Sequence, residues 1–438
     1  MPIQHLINLF DIYKKMKLKD TFGKAMDSLT DEQLLVFKFI KEGKHVYLRG
    51  AAGTGKTFTI QHLKQWLLRH DKKIGITAMT GCAAILIQGS TLHSFLGIGL
   101  AKKSAQEIAT ANGLNKKKII KKLQQLDVLV IDEVSMLDKD LFEKISDYLK
   151  IIRKNDKPFG GVQLVLCGDF CQLPPVKGTY CFMSNLWKEV SLQECCLTKS
   201  FRHNKDGVFQ DLLESMRLGQ LLEKHIELLN QLQQTKFNYG IKPTRLYPLC
   251  SNIEEINQHY FHKLLKKQAV NFTYRRTISE IPLKSMDWFY KLDVPESIDL
   301  CVGCQVYVTH NINMESGIVN GTRGVITSMD ERSVTIQKTD GLYYTVNMYK
   351  MMEDENESVC VEFMPLRLAF ALTIHKSQGM TLDAIEIDLG ENIFEYGQAY
   401  TAISRAKTLD SIRIVHFNPK AIKTHSLVRQ FYEELNIS

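Results

Sequence analysis

His45-Val46-Tyr47-Leu48-Arg49-Gly50-Ala51-Ala52-Gly53-Thr54-Gly55-Lys56-Thr57 is the stretch that decides the fold of this chain. A short apolar run ends in glycine, residues 50–57 follow the pattern G-x-x-x-x-G-K-[ST], and a helical pattern runs on over residues 56–69. Strand, loop and helix in that order build a phosphate cradle. The glycines let the backbone curl until several N–H groups point at one anion, so Gly53, Thr54 and Gly55 supply donors. Lys56 neutralises the charge of the β- and γ-phosphates, and the hydroxyl of Thr57 suits Mg²⁺. Strands feeding such loops lie in parallel sheets covered on both faces. An α/β fold follows.

Working outward, residues 74–78, 128–131 and 163–167 are continuous apolar runs of the kind a doubly covered sheet requires. Val128-Leu129-Val130-Ile131 ends in Asp132-Glu133. In a parallel sheet the C-terminal strand ends meet where the phosphate loop also lies. Asp132 is therefore read as holding Mg²⁺ through water, and Glu133 as orienting or deprotonating the attacking water. Cys167-Gly168-Asp169 closes the next run, so Gln172 could reach the γ-phosphate or that water. A guanine-reading Asn-Lys-x-Asp element is absent, which favours ATP over GTP. Later, strand-like runs over 246–250, 384–389 and 411–417, with a helix near 394–402, indicate a second α/β domain. Three short runs over 324–329, 333–337 and 343–347, divided by turn residues, predict an antiparallel meander or small barrel inserted in it.

The 438 residues are enough for about three domains of average size. Lys and Arg number 56 against 48 acids, a net charge of +8. Much of that surplus sits in residues 101–124, where seven lysines face the single acid Glu107. Such a block is either a solvated helix face or a phosphate-binding patch. Apolar runs stay short of the roughly 18 residues that span a membrane, so no membrane partner is expected. Residues 1–24 lack the features of a secretory signal or a transit peptide and read as an extension of the fold. Ten cysteines at loose spacing fit a reducing compartment, and Cys301 and Cys304, lacking a second ligand pair, read as free thiols.

Taken in order from about residue 29 to 405, the motifs resemble those of the Pif (petite integration frequency) DNA helicases, in the RecD-like, 5′-to-3′ branch of helicase superfamily one. Leu29-Thr30-Asp31-Glu32-Gln33 is similar to the element whose glutamine reads adenine, which implies that role for Gln33. Thr77-Ala78-Met79-Thr80-Gly81-Cys82-Ala83-Ala84 and Thr91-Leu92-His93-Ser94-Phe95 resemble two segments that touch single-stranded DNA. From these come Thr80, Gly81, His93 and Phe95, the last two as stacking candidates against simple core or hinge roles. Glu133-Val134-Ser135-Met136-Leu137-Asp138 with Asp140-Leu141-Phe142 resembles the family's signature, and Gly168-Asp169-Phe170-Cys171-Gln172-Leu173-Pro174-Pro175-Val176 its next block. Leu197-Thr198-Lys199-Ser200-Phe201-Arg202 and Tyr400-Thr401-Ala402-Ile403-Ser404-Arg405 resemble the blocks that carry one arginine each to the γ-phosphate, with His203 standing where a glutamine is common. Asn320-Gly321-Thr322-Arg323-Gly324 and Thr373-Ile374-His375-Lys376-Ser377-Gln378-Gly379-Met380-Thr381 resemble second-domain motifs, implying DNA contacts for Thr373, His375 and Lys376 and a nucleotide contact for Gly379.

The resemblance implies an α/β protein of two RecA-like P-loop motor domains that clamp ATP while single-stranded DNA crosses both. It places a small wedge insertion in the first and a small β-barrel insertion in the second. The expected division is an N-terminal extension over 1–28, a first motor domain over 29–200 with its wedge at about 97–124, and a second over 201–438 with its barrel at about 324–362. In that setting the lysine block turns toward DNA. The expected activity is an ATP- and Mg²⁺-dependent 5′-to-3′ DNA helicase, intracellular and DNA-associated, with single-stranded and 5′-tailed duplex DNA as partners. A DNA-stimulated ATPase subunit without unwinding of its own is the alternative.

Overall fold

A computed structural model describes residues 28–437 except 100, 111–113, 203–205, 238–242, 249–252, 268, 280, 282–288, 290–291, 293, 311, 314–317, 319–320, 339–340, 354–355 and 383. The expected N-terminal extension up to residue 27, His203, Cys250 and Asn320 lie outside the described residues. The chain divides into two compact units, one of residues up to 170 with 175–201, the other of 171–174 with 202 onward.

The first unit is built on β1 (Val46–Gly50), β2 (Ile74–Ala78), β3 (Ser90–Thr91), β4 (Val128–Asp132), β5 (Gln163–Gly168) and β6 (Gln193–Leu197). They pair in the order β3-β2-β4-β5-β1-β6, and every pairing is parallel. β1 and β4 are buried along their whole length, which is why their sequences run apolar without alternation. On one face Val46, Leu48, Val128, Val130 and Val165 meet Leu34 and Phe37 of the helix Asp31–Lys41 and Ile60 and Leu63 of the helix Lys56–Arg69. Burying each such side chain contributes about 1.5–3 kcal/mol. The opposite face is aromatic: the Tyr47 ring sits 5.6 Å from that of Phe170 and 5.4 Å from that of Trp187.

Short-range chemistry sets the element ends. Thr30 caps Asp31–Lys41 and Gln33 bonds back to the Thr30 N–H at 2.9 Å, a capping box. Asp138 caps Lys139–Arg153 through the Leu141 N–H, while Leu141 and Phe142 are buried. The signature residues after Glu133 thus start a helix and fill its core. The lysine block forms the helices Ala105–Thr110 and Leu114–Gln124, tethered by buried Ile108 and Leu123, with Lys117, Lys118, Lys121 and Lys122 exposed.

In the second unit, Ala371–Thr373, Thr244–Tyr247, Ile385–Leu389 and Ile412–Phe417 form a parallel sheet in that order. The anticipated meander is present as Arg323–Met329, Ser333–Lys338 and Tyr343–Asn347, paired antiparallel. Its sheet reaches beyond 324–362, because Gln305–Val308 and Leu366–Leu368 add two strands that complete a core of Val306, Ile326, Val334, Ile336, Val346 and Leu366. Tyr349–Glu353 pairs instead with Asn356–Phe363, which pairs on its other side with Thr277–Ile278. Cys301 and Cys304 belong to the same core, their sulfurs 3.3 Å apart, and burial pushes both thiols up. The helix expected over 394–402 begins only at Gln398. Gly397 stands at φ 66°, and the Gln398 side chain accepts the Phe394 and Glu395 N–H groups, which holds 394–396 as a loop. No helix among the described residues is long and apolar enough to cross a membrane.

Candidate active site

Sheet order brings the ends of β4, β5 and β1 side by side, so the residues that follow them share one edge. After β1 the chain turns through Gly53 at φ 82° and Gly55 at φ 91° into the helix Lys56–Arg69. No side chain caps that helix, so its first N–H groups face the loop together with the positive end of its dipole. Thr54 Oγ1 donates to the Ala51 carbonyl at 2.9 Å, and Lys56 Nζ donates to the carbonyls of Gly50 at 2.7 Å and Ala51 at 2.9 Å. The ammonium is thereby held inside the curl of the loop. Gly50 tolerates no side chain, because a Cβ there would lie 2.6 Å from Thr54 Oγ1 and 2.7 Å from the Leu197 carbonyl. Thr57 opens the helix, half-buried.

Gln33 reaches this loop from the helix Asp31–Lys41. Its Oε1 is used in the capping box, while Nε2 is buried without a partner and would lie 2.9 Å from a Cβ on Gly55. An amide donor left over at the edge of a phosphate loop suits a ring nitrogen acceptor such as adenine N7.

Asp132 ends β4 at 5% exposure, and Glu133 follows at 9%. Burial, then the adjoining Glu133 carboxylate, raises Asp132 well above the usual carboxylate range; the Glu133 N–H, the Cys167 thiol and Lys56 act the other way. Glu133 N donates to Asp132 Oδ1 at 2.9 Å. The Glu133 backbone stands at φ 55°, a left-handed conformation that costs a non-glycine residue of order 1–3 kcal/mol. Two carboxyl groups crowded in a buried, strained turn, and the Thr57 hydroxyl, are oxygen donors of the type that a hard divalent cation takes. The role of Cys167 was not legible in the sequence. Only the β4–β5 register, with Ile131 beside Leu166, reveals that Cys167 stands next to Asp132.

The remaining residues expected at the phosphates belong to the second unit. Gln172 is 4% exposed, and its Oε1 is buried without a hydrogen-bond partner. Arg202 Nη1 donates to the Ser404 carbonyl at 2.8 Å, and Arg405 donates to the Thr401 carbonyl at 2.9 Å and to Ser404 Oγ at 2.8 Å. Burial, then the neighbouring Arg405, pushes Arg202 down to about 9. Two guanidinium groups gathered on one helix end favour an anion. Gly379 stands at φ 78°, half-buried.

Among the expected DNA residues, Thr80 caps the helix Gly81–Leu86 through the Ala83 N–H, and Gly81 is exposed with open space at its Cβ. His93 and His375 are half-buried, and burial lowers both imidazoles, opposed by Asp138 and Glu395 respectively. Thr373 is buried and accepts the Lys376 N–H at 2.9 Å, so it orients a turn on which Lys376 is exposed. Phe95 differs from the stacking expectation. It is 8% exposed, its ring packs where Gly75 leaves room, and Lys122 lies 4.2 Å from the ring centre. It is a core residue whose remaining face is covered by a lysine.

Residues 28–234 match the PIF1-like helicase family model, and residues 294–329 match that of the 2B domain of the DNA helicase Pif1. The chain is 34% identical to the ATP-dependent DNA helicase PIF1 of Danio rerio, over 93% of this chain and 64% of that protein. It thus spans a little under two-thirds of that relative's length. It is 32% identical to the ATP-dependent DNA helicase Pif1 of Bdellovibrio bacteriovorus, over 93% of this chain and 92% of that protein. Among solved structures, Bacteroides sp Pif1 in complex with ADP-AlF4 is similar at a TM-score of 0.77 and 28% identity, covering 93% of this chain and 97% of that one.

Proposed function

Because the chain belongs to the PIF1-like helicase family, we propose that it is an ATP-dependent motor that moves 5′ to 3′ along single-stranded DNA and separates duplex strands, serving DNA replication, repair or recombination inside the cell. The observation that carries this reading is the strained, buried Asp132–Glu133 turn on the sheet edge that also holds the phosphate loop. Strain kept at such a place marks chemistry rather than packing.

Gln33 Nε2 donates to the adenine ring, and the backbone of Gly53, Thr54 and Gly55 with Lys56 holds the phosphates. Thr57 and Asp132 fit Mg²⁺, since a carboxylate already destabilised by burial and a neighbouring acid gains most from a divalent cation. When bound, that ion neutralises phosphate charge and acts as a Lewis acid. Glu133 takes the proton of the attacking water, and the free Oε1 of Gln172 orients that water. Arg202 and Arg405 stabilise the charge of the transferring phosphoryl group, with Gly379 against the nucleotide. Thr80, Gly81, His93, Thr373, His375 and Lys376 hold the DNA strand. They act mainly on the backbone, because a motor must ignore sequence.

The test compares unwinding by purified protein with ATP and Mg²⁺ on one duplex carrying a 5′ single-stranded tail and on the same duplex carrying a 3′ tail. Separation of the 5′-tailed duplex alone is expected. Equal unwinding of both would remove the polarity. DNA-stimulated hydrolysis with no unwinding of either would instead establish an ATPase subunit that needs a partner.

A further inference from the structure

The loop before the helix Gln398–Ile403 is held more firmly than its length requires. Gly397 N donates to the Lys423 carbonyl at 3.0 Å, and the Gly397 carbonyl accepts the Thr401 N–H at 2.8 Å. The Gln398 side chain is fully buried, accepts the Phe394 and Glu395 N–H groups and donates to the Pro248 carbonyl at 3.4 Å. Gly397 therefore has little freedom to shift in any direction.

Against this fixed point lies the backbone of Cys171 and Gln172. A Cβ on Gly397 would stand 2.3 Å from the Cys171 carbonyl oxygen, 2.4 Å from that of Gln172 and 2.8 Å from the Gln172 carbonyl carbon. These are backbone atoms, so a side chain cannot swing away to make room. The conformation adds a second demand for glycine, φ being 66°. The helix that follows Gly397 runs over Gln398–Ile403 and ends on Ser404, whose carbonyl accepts Arg202 and whose Oγ accepts Arg405.

We propose that Gly397 is a positioning residue for Gln172: it seats the Cys171–Gln172 backbone at the start of the helix whose C-terminal end, at Ser404, binds Arg202 and Arg405. The inference rests on the reading of Gln172 as the residue that orients the attacking water. Its buried Oε1, left without a hydrogen-bond partner, is the atom that must be aimed. A displacement of about 1 Å at such a group costs up to about 100-fold in rate.

The experiment measures kcat and KM of the DNA-stimulated ATPase, together with ADP binding and thermal unfolding, for the full chain carrying Gly397→Ala, Gln172→Ala or both. Gly341→Ala serves as control, because Gly341 also has positive φ, at 83°, yet nothing lies within 4 Å of its Cβ position. Gly397→Ala is expected to lower kcat by about 10- to 100-fold with ADP binding retained, and Gln172→Ala to add little in that background. If Gly397→Ala does not fold, Gly397→Asn tests the same point, since asparagine accepts positive φ but still carries the Cβ. Unchanged kcat in a folded Gly397 variant, full additivity with Gln172→Ala, or failure of both Gly397 variants to fold would overturn the positioning role. A normal rate for Gln172→Ala alone would instead remove the role of Gln172, and the positioning role with it.

Discussion

At the scale of single residues, the acid pair and the loop lysine divide the work by environment. Lys56 sits inside the loop, held by two carbonyls, so its charge is aimed before any phosphate arrives. Lys56→Ala should reduce ATP turnover at least about 100-fold, read as steady-state phosphate release. Glu133→Gln keeps the volume and the polar contacts but loses the base; it should bind ATP normally and stop turnover, so normal turnover would show that the base lies elsewhere. Histidines give a second residue-scale prediction. Burial holds His45, His93 and His375 below the ordinary imidazole value of 6.5, and His45 Nδ1 accepts the Leu164 N–H at 3.0 Å, a bond lost when that nitrogen is protonated. The unfolded chain then binds protons more readily than the folded one. Their stabilisation is fully present above 6.5 and is lost as pH falls through and below it. The urea midpoint should therefore drop from about pH 7.5 to about pH 5.5, and His45→Asn, which keeps an acceptor but does not titrate, should reduce that drop.

At the scale of elements, the helix Leu114–Gln124 is held by Leu123 on one side and offers lysines on the other. Lys117 and Lys121 are one turn apart, so they can meet neighbouring phosphates of one strand. If they do, replacing both with alanine lowers the slope of log affinity against log salt by roughly 0.7 to 0.9 per lysine that pairs. An unchanged slope, measured by DNA binding across a salt series, would return this helix to a solvated face. Phe95 shows why element packing had to be seen. Its neighbours in sequence resemble a DNA-contacting segment, yet its ring fills the space above Gly75 beneath Lys122. Its replacement by alanine is thus a cavity mutation before it is a DNA-binding one.

At the scale of the whole molecule, the parts proposed for ATP chemistry are divided between the units. Lys56, Thr57, Asp132 and Glu133 belong to the first, while Gln172, Arg202 and Arg405 belong to the second. Arg202→Ala and Arg405→Ala should lower kcat by about 100-fold or more and leave ADP affinity nearly unchanged; a pure KM effect would contradict an action on the transferring phosphoryl group.

The phosphate loop, the acid pair and the strands that carry them could be read directly from the chain, because a loop pattern and a continuous apolar run are local features with local causes. The order of motifs likewise indicated the family, and the family models match 28–234 and 294–329. What the sequence could not hold was anything set by the approach of distant segments. The antiparallel sheet draws in 305–308 and 366–368, strands whose own runs are too short to announce a partner. Cys167 reaches Asp132 only through strand register, and Phe95 turns inward because a glycine on β2 leaves it room. Gly397 is an ordinary glycine until the carbonyls of Cys171 and Gln172 arrive within 2.4 Å of where its Cβ would be. Local patterns encode which groups exist. Steric exclusion between segments far apart in the chain decides where those groups point.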